Sequence, residues 1–127
     1  KVAILMIDLD QFKKINDTYG HTVGDRVMME IGRILRDFTR AGEAAFRLGG
    51  DEFLIIIPNI GDERGIEPVK RRLLQCFQEE FRIANCHMRP EFSLGHAIFP
   101  DDGEDIDILL QVADERLYKD KPKTREK

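Results

Sequence analysis

The order of hydrophobic patterns along the chain predicts an α+β fold, a sandwich in which helices flank a central, mostly antiparallel sheet. Residues 1–7 are an apolar run after the initial lysine, the pattern of a strand buried on both faces. Two runs rich in β-branched and aromatic residues flank Gly49 and Gly50, which is typical of a β-hairpin. With the intervening helical patterns, the order is strand, helix, helix, hairpin, helix, strand, helix. This order is close to the ferredoxin-like split βαβ plan.

The helices of this prediction rest on apolar residues spaced three and four apart, which place an apolar stripe on each helix. A short helix is predicted over 11–19 with Asp10 as its cap, and a longer helix ends near Phe38. A third is predicted from Ile66 through Phe81, and a last one includes 108–117. The apolar residues that define the four helices are Phe12, Ile15 and Tyr19; Val23, Val27, Ile31, Ile34, Leu35 and Phe38; Ile66, Val69, Leu73, Phe77 and Phe81; and Ile108, Leu109, Val112, Ala113 and Leu117.

The remaining segments give weaker signals. Pro58 ends the second hairpin strand, because proline cannot donate to a strand ladder, and 91–99 is predicted as a strand. Residues 83–89 fit neither a helical nor a strand pattern clearly. The length favours one domain over 1–127. Because the chain begins almost inside its first strand, we expect it to be part of a longer protein.

Composition and charge argue against several classes of function. Hydrophobic residues make up 42% and charged residues 35% of the 127 residues, as is usual for a globular domain. The formal net charge of −4 argues against a nucleic-acid-binding surface. No apolar run is long enough to span a membrane, so we expect no membrane contact by this domain. Cys76 and Cys86 lack metal-ligand spacing and are predicted to be reduced, partly buried thiols. These features indicate a cytoplasmic domain, compatible with a membrane anchor elsewhere in a longer protein.

Three carboxylates are predicted to meet at one edge of the sheet. Asp8 follows the first strand, and Asp51 and Glu52 lie at the tip of the hairpin. Such a pair can simply be a charged, solvated turn, but pairing of the first strand beside the hairpin would bring all three together. Clustered carboxylates repel one another and raise some of their pKa values. A bound Mg²⁺ relieves this conflict, because it prefers oxygen ligands together with waters and substrate phosphates.

A phosphate site is predicted beside these carboxylates. The helix that starts at Gln11, Phe12 and Lys13 offers free backbone N–H groups and the positive end of its dipole. Lys13 adds a cation, although a lysine at this place is often only a solvated surface residue. Carboxylates for metal ions and amides for phosphate together indicate a nucleoside triphosphate site of the two-metal type.

The motifs that carry this site resemble those of the GGDEF family of diguanylate cyclases. Residues 49–53 read Gly-Gly-Asp-Glu-Phe, and the segment 8–21, followed by Gly24 and Asp25, is similar to the first motif of that family. The segments 93–97 and 113–118 resemble its later blocks. The resemblance covers the whole chain and implies a nucleotidyl-cyclase-like sandwich. It also implies that the helical segment that usually precedes the first strand is missing here.

The resemblance implies a diguanylate cyclase that condenses two GTP molecules into cyclic di-GMP and releases two pyrophosphates. Each domain would bind one GTP, so a second GGDEF domain must face it across a two-fold axis. Mg²⁺ or Mn²⁺ would be the cofactor, and fused sensor or effector domains are expected. Two alternatives stay open. One is a regulatory module that binds GTP without turnover and controls an attached domain, such as a cyclic di-GMP phosphodiesterase. The other is a receptor for the product.

The resemblance also assigns the metal and phosphate ligands. Asp8, the carbonyl of Leu9, Asp51 and Glu52 would hold the metal ion, and Asp51 would be the base for the attacking 3′-hydroxyl. Catalysis would therefore depend on Asp51 and Glu52 with Lys13, which steadies the charge on the phosphates. Two late residues, Lys121 and Arg125, are implied as further phosphate ligands.

The implied guanine pocket lies on the first two helices. Asn16 and Asp25 would read the base edge, and Phe12 and His21 would lie near the nucleotide. Buried polar groups of this kind discriminate well, because the wrong base leaves them unpaired. Without the family, Asn16 and Asp25 would be read as turn or cap residues, and His21 as a structural residue of a turn.

Two positions depart from the family pattern. Its inhibitory product site is an Arg-x-x-Asp motif shortly before the hairpin, and here Arg40 is followed by Glu43. Because glutamate is one methylene longer than aspartate, we expect this site to be degenerate and feedback inhibition to be impaired. Thr124 also stands where the family often has glycine.

Overall fold

A computed structural model describes residues 1–121 of the chain. The strands are β1 (Val2–Leu9), β2 (Ala44–Gly49), β3 (Glu52–Ile57), β4 (Phe81–Ile83), β5 (Cys86–Met88) and β6 (Phe92–Phe99). The helices are α1 (Phe12–Tyr19), α2 (His21–Phe38), α3 (Ile66–Cys76) and α4 (Ile106–Asp120), with a single 3-10 turn over Glu63–Gly65. Within this part of the chain, no helix is both long enough and apolar enough to cross a membrane.

The central sheet has the strand order β2-β3-β1-β6, and every neighbouring pair is antiparallel. Strands β1 and β2 therefore run parallel to each other with β3 between them, which is the split βαβ arrangement. The predicted fold class, with helices flanking a mostly antiparallel sheet, is confirmed. The register places Asp8 opposite Glu52 on one side and opposite Ser93 on the other.

Strand β1 is buried on both faces, as its apolar run predicts. Its odd-numbered residues Ala3, Leu5, Ile7 and Leu9 belong to a core that includes residues of α2 and α3. Ile4 and Met6 point to the opposite face, where they pack with Leu109, Ala113 and Leu117 of α4. Since side chains alternate along a strand, Asp8 continues the face that α4 covers. The alternation thus directs the acidic end of β1 toward the C-terminal end of α4.

Helix α4 lies against the backbone of β6 at Gly95. A Cβ atom built on Gly95 would lie 2.1 Å from the carbonyl oxygen of Ala113 and 2.3 Å from the nitrogen of Leu117. The helix is tied to the same strand further along, because the Asp120 carboxylate accepts a hydrogen bond of 2.9 Å from the backbone N–H of Leu94. This close approach fixes the end of α4, and hence Lys121, beside the acidic end of β1.

Some of the local predictions are wrong. Asp10 does not cap α1: the N-cap residue is Gln11 in a left-handed conformation (φ 57°, ψ 38°), and no side chain caps the helix. Phe81 is not on α3, which ends at Cys76. It begins β4 instead, where it pairs with Met88 of β5. Its spacing of four residues from Phe77 matches a helix, and the pattern alone could not show that the chain turns in between.

The segment 83–89, for which the sequence gives no clear pattern, contributes to the two-stranded β4–β5 hairpin. Both cysteines are free and half-buried, as predicted. Phe77 stacks on Phe92, with ring centroids 4.1 Å apart, and so joins the end of α3 to β6.

The contact at Gly95 gives a test of the fold. Gly95→Ala should lower the free energy of unfolding by about 3 kcal/mol, because the new methyl group meets backbone atoms that cannot move independently. The measurement is urea denaturation followed by circular dichroism. Gly32→Ala on α2 is the matched control, since a Cβ there meets nothing within 4 Å. It should be neutral or stabilise the helix by up to about 1 kcal/mol. Equal effects of the two substitutions would contradict this packing.

Candidate active site

The three predicted carboxylates meet where β1 ends and β3 begins. Asp8 and Glu52 are direct partners across the two strands, and Asp51 precedes Glu52 in the hairpin turn. The turn is fastened to β1, because the backbone N–H of Leu9 donates a 3.1 Å hydrogen bond to the carbonyl of Asp51. The convergence expected from the sequence is therefore a property of the fold.

The hairpin turn owes its shape to two glycines and an arginine. Gly49 and Gly50 have φ values of 136° and 51°, in the region that side chains disfavour. The guanidinium of Arg47 donates from Nε and Nη2 to the carbonyl of Gly50, at 3.2 and 2.7 Å. Arg47 is not among the predicted site residues. An arginine three residues before the second glycine of such a turn is a signal that could have found it.

The cluster carries more negative charge than its surroundings neutralise. Burial raises the pKa of Asp8, and the nearby charge of Asp51 raises it further, against the opposing effect of Lys121. Burial also raises the pKa of Glu52, with added effects from the charges of Asp8 and of Asp114 on α4. Asp114 was missed by the sequence analysis, which had no means of placing α4 beside the hairpin. Both acids are therefore held in an environment that favours a bound cation.

Lys121 supplies the positive charge that the structure shows at this cluster. Its Nζ atom lies 2.6 Å from Oδ2 of Asp8 and 3.3 Å from Oδ1 of Asp10. Burial alone would lower the pKa of Lys121, but the hydrogen bond to Asp8 and the charges of Asp8 and Asp10 together raise it. Asp10 is buried and also accepts hydrogen bonds of 2.8 and 3.0 Å from the hydroxyl of Ser93. Lys121 is thus a counterion of the carboxylates here, and its phosphate contact stays a prediction.

The carboxylates fit a divalent metal ion. Within residues 1–121, the Oδ1 atom of Asp8 is buried without a hydrogen-bond partner, so one acceptor at the centre of the cluster is uncommitted. An oxygen-only set of this kind suits Mg²⁺ or Mn²⁺. No three acidic, histidine or cysteine side chains of the described chain already surround one point. Mg²⁺ usually takes one or two carboxylates and completes its shell with waters and substrate phosphates.

The predicted nucleotide residues lie on α1 and at the start of α2. Phe12 is half-buried against the core. Lys13 is exposed in the first turn of α1, two residues after Gln11 and close in sequence to the end of β1. Asn16 is half-buried, with an Oδ1 atom that has no hydrogen-bond partner among residues 1–121.

His21 and Asp25 are exposed, His21 at the beginning of α2 and Asp25 one turn later. Arg125 and Thr124 lie outside the described residues.

A groove of about 470 Å³ lies on another side of α1. It is lined by Lys14, Ile15 and Thr18 together with the segment 88–91. Asp10 and Gln11 reach it, but Asp8, Lys13 and Asn16 do not line it. The groove therefore does not coincide with the carboxylates and the predicted base readers.

Comparison with known proteins identifies the family. The family described as "Diguanylate cyclase, GGDEF domain" matches residues 1–127. The chain belongs to the GGDEF domain family.

Relatives and solved structures agree with this assignment. The chain is 36% identical over 126 residues to the diguanylate cyclase DgcN of Escherichia coli K12, which covers 98% of the chain and 31% of DgcN. It is 32% identical over 118 residues to the cyclic di-GMP phosphodiesterase PdeR of the same organism, covering 93% of the chain and 18% of PdeR. The crystal structure of the GGDEF domain of PA1120 (YfiN or TpbB) from Pseudomonas aeruginosa superposes with a TM-score of 0.89 at 29% identity, covering 93% of this chain and 74% of that one. The chain thus spans a third or less of these curated relatives.

Two hydrogen bonds that involve backbone groups join Arg40 and Glu43. The Glu43 carboxylate accepts a 2.9 Å hydrogen bond from the N–H of Arg40, and the N–H of Glu43 donates to the carbonyl of Arg40 at 2.9 Å. The Glu43 carboxylate therefore stabilises its own turn.

The excess charge of the cluster predicts how this GGDEF domain responds to metal ions. Asp51→Asn removes one charge next to Asp8, so it should raise the melting temperature in metal-free buffer by a few degrees, the equivalent of about 1 kcal/mol. It should also shrink the stabilisation that millimolar Mn²⁺ gives the native sequence. Differential scanning fluorimetry with and without Mn²⁺ measures both.

The control for this experiment is Glu115→Gln, which makes the same change of net charge at an exposed position of α4. It should leave the Mn²⁺ response intact. An equal Mn²⁺ response in Asp51→Asn and the native sequence would show that the cluster does not bind the ion.

Proposed function

We propose that the chain is the catalytic domain of a diguanylate cyclase, which joins two GTP molecules into cyclic di-GMP and releases two pyrophosphates. The observation that carries the proposal is the approach of Asp8, Asp51 and Glu52 to one another where β1 ends and β3 begins, with only two residues between β1 and α1. Family membership supports the same reaction. GTP supply would place it in the cytoplasm.

In each of two equivalent steps, the 3′-oxygen of one GTP attacks the α-phosphorus of the other. The bond from that phosphorus to the bridging oxygen of the β-phosphate breaks, pyrophosphate leaves, and the hydroxyl proton is released. Asp51 would accept this proton, because its carboxylate lies in the turn that faces the end of β1. Proximity of the two nucleotides contributes much of the rate, as in other reactions that convert a bimolecular step into an intramolecular one.

Asp8, Asp51 and Glu52, with the carbonyl of Leu9, would hold Mg²⁺ or Mn²⁺ in a site of the two-metal type. Bound there, the ions supply positive charge against the charge that develops on the transferring phosphoryl group. The raised pKa values of Asp8 and Glu52 and the unpartnered Oδ1 of Asp8 support this assignment.

The phosphates would lie against the first turn of α1, where free N–H groups and Lys13 neutralise them. Lys121, which pairs with Asp8 in the structure, would also contact the phosphates. Arg125 would add a further cation. The guanine edge would be read by Asn16 and Asp25.

Phe12 and His21 would border the nucleotide, since they begin the two helices that carry these readers. One bound GTP per domain requires a second GGDEF domain that presents its own nucleotide across a two-fold axis. We also propose that product inhibition is weak, because the Glu43 carboxylate is committed to the backbone of Arg40.

A regulatory module that binds GTP without turnover is the second candidate. The similarity to PdeR, which is named as a cyclic di-GMP phosphodiesterase, favours this candidate. The matching stretch covers only 18% of the length of PdeR. Such a module would bind GTP with the affinity of an enzyme and yield no cyclic product, even when dimerised.

The deciding experiment is chromatographic product analysis after incubation with GTP and Mg²⁺. The chain should be assayed alone and fused to a dimerising coiled coil, which supplies the second domain. Asp51→Ala should lower the rate by about 100-fold or more, the usual contribution of a positioned base. Glu115→Ala on the exposed face of α4 is the matched control and should stay active. GTP binding without cyclic di-GMP from the dimerised, folded protein would instead establish the regulatory module.

A further inference from the structure

Gly24 on α2 leaves room for the end of a neighbouring side chain. A Cβ atom built on this buried glycine would lie 1.8 Å from Oδ1 and 3.0 Å from Cγ of Asn16. The third neighbour is Cε1 of Phe12 at 3.5 Å, an ordinary van der Waals distance. The carboxamide of Asn16 therefore occupies the space that any other residue at position 24 would fill with its own side chain.

Among residues 1–121, the oxygen of the Asn16 carboxamide has no hydrogen-bond partner. Oδ1 is buried and accepts no hydrogen bond from residues 1–121. Leaving a buried acceptor unpaired is unfavourable, so hydrogen bonding among the described residues does not account for this placement. The space left by Gly24 accommodates the carboxamide between α1 and α2. It gives the oxygen of the carboxamide no hydrogen-bond partner among residues 1–121.

We infer that Gly24 is a positioning residue for base recognition: by omitting a side chain, it seats the carboxamide of Asn16 where that group can meet the base of a guanine nucleotide. The inference rests on the proposed function, because it takes Asn16 to be a guanine reader. It adds that the specificity of the site depends on a residue that makes no polar contact with the base.

The clash at Gly24 differs in kind from the clash at Gly95. At Gly95 the obstacle is the backbone of α4, whereas at Gly24 it is the far end of a flexible side chain. Asn16 can rotate about its side-chain bonds, so Gly24→Ala should fold. An alanine in the helix also gains propensity over glycine. The substitution should therefore change binding and leave stability nearly unchanged.

The test is calorimetric titration of the domain, in Mg²⁺, with 3′-deoxy-GTP and 3′-deoxy-ATP. Both lack the hydroxyl that reacts, so they bind without turnover. Gly24→Ala should lower the affinity for 3′-deoxy-GTP by about tenfold, one hydrogen bond's worth, and leave that for 3′-deoxy-ATP unchanged. Gly32→Ala is the matched control on the same helix, with open space at its Cβ. It should bind both nucleotides as the native chain does.

A double-substitution cycle separates positioning from a general disturbance of α2. Asn16→Ala removes the carboxamide and makes room for a methyl group at position 24. Adding Gly24→Ala to Asn16→Ala should then cause no further loss of 3′-deoxy-GTP affinity. Additive losses would overturn the inference, because Gly24 would then act by a route that does not pass through Asn16.

The outcomes also separate this inference from the proposed function. If the native chain binds 3′-deoxy-GTP and Gly24→Ala binds it equally well, the positioning role is wrong and the proposed function stands. If the native chain binds no guanine nucleotide, the proposed function fails and the inference falls with it. The side-chain amide resonance of Asn16, assigned with Asn16→Ala, gives a readout without nucleotide. It should shift in Gly24→Ala and stay in place in Gly32→Ala, and an unshifted resonance in Gly24→Ala would refute the steric contact.

Discussion

Negative charge buried at the end of β1 is the constraint on which the rest of the site depends. Asp8 is held between Glu52 and Ser93 by the register of three strands, so it cannot move away from its neighbours without breaking the sheet. Several carboxylates in such a place need a cation. In the structure this cation is the ammonium group of Lys121, which carries one charge and leaves Oδ1 of Asp8 without a hydrogen-bond partner among residues 1–121.

Contacts on both sides of the carboxylates hold them in this position. Alternation along β1 sets Asp8 on the face covered by α4, and the missing side chain of Gly95 lets α4 approach until its end reaches Asp8. The hairpin turn is fixed from the other side by Arg47 and by the hydrogen bond between Leu9 and Asp51. Packing and hydrogen bonding thus hold the carboxylates of Asp8, Asp51 and Glu52 near one another, whereas on a flexible, solvated surface they would move apart.

The strands and their acidic ends could be predicted from the sequence because they follow from local patterns. A double-sided apolar run, a Gly-Gly turn and a period of two are enough to bring Asp8 next to Glu52. The partners of Lys121 could not be predicted this way, since they depend on where α4 ends against the sheet, more than a hundred residues along the chain from Asp8. The sequence placed Lys121 in the site through the family resemblance alone.

Other features could not be predicted because they also depend on contacts with other parts of the chain. Asp10 has a residue type that is common at helix caps, but it accepts a hydrogen bond from the hydroxyl of Ser93 on β6 instead. The sequence does not show that the side chain of Asn16 occupies the space at Gly24, because a glycine within a helical pattern indicates only a lower helix propensity. Phe81 satisfies the helical period and still begins a strand, because a spacing of four residues does not record a turn of the chain.

We propose that the carboxylates at the end of β1 form the divalent-cation site of the domain. Paramagnetic broadening of backbone amide resonances by substoichiometric Mn²⁺ tests it most directly, because broadening falls steeply with distance from the ion. We expect the amides of residues 8–11 and 50–53 to broaden first, while those of the β4–β5 hairpin stay sharp. Uniform broadening, or broadening centred on another acidic surface, would contradict it.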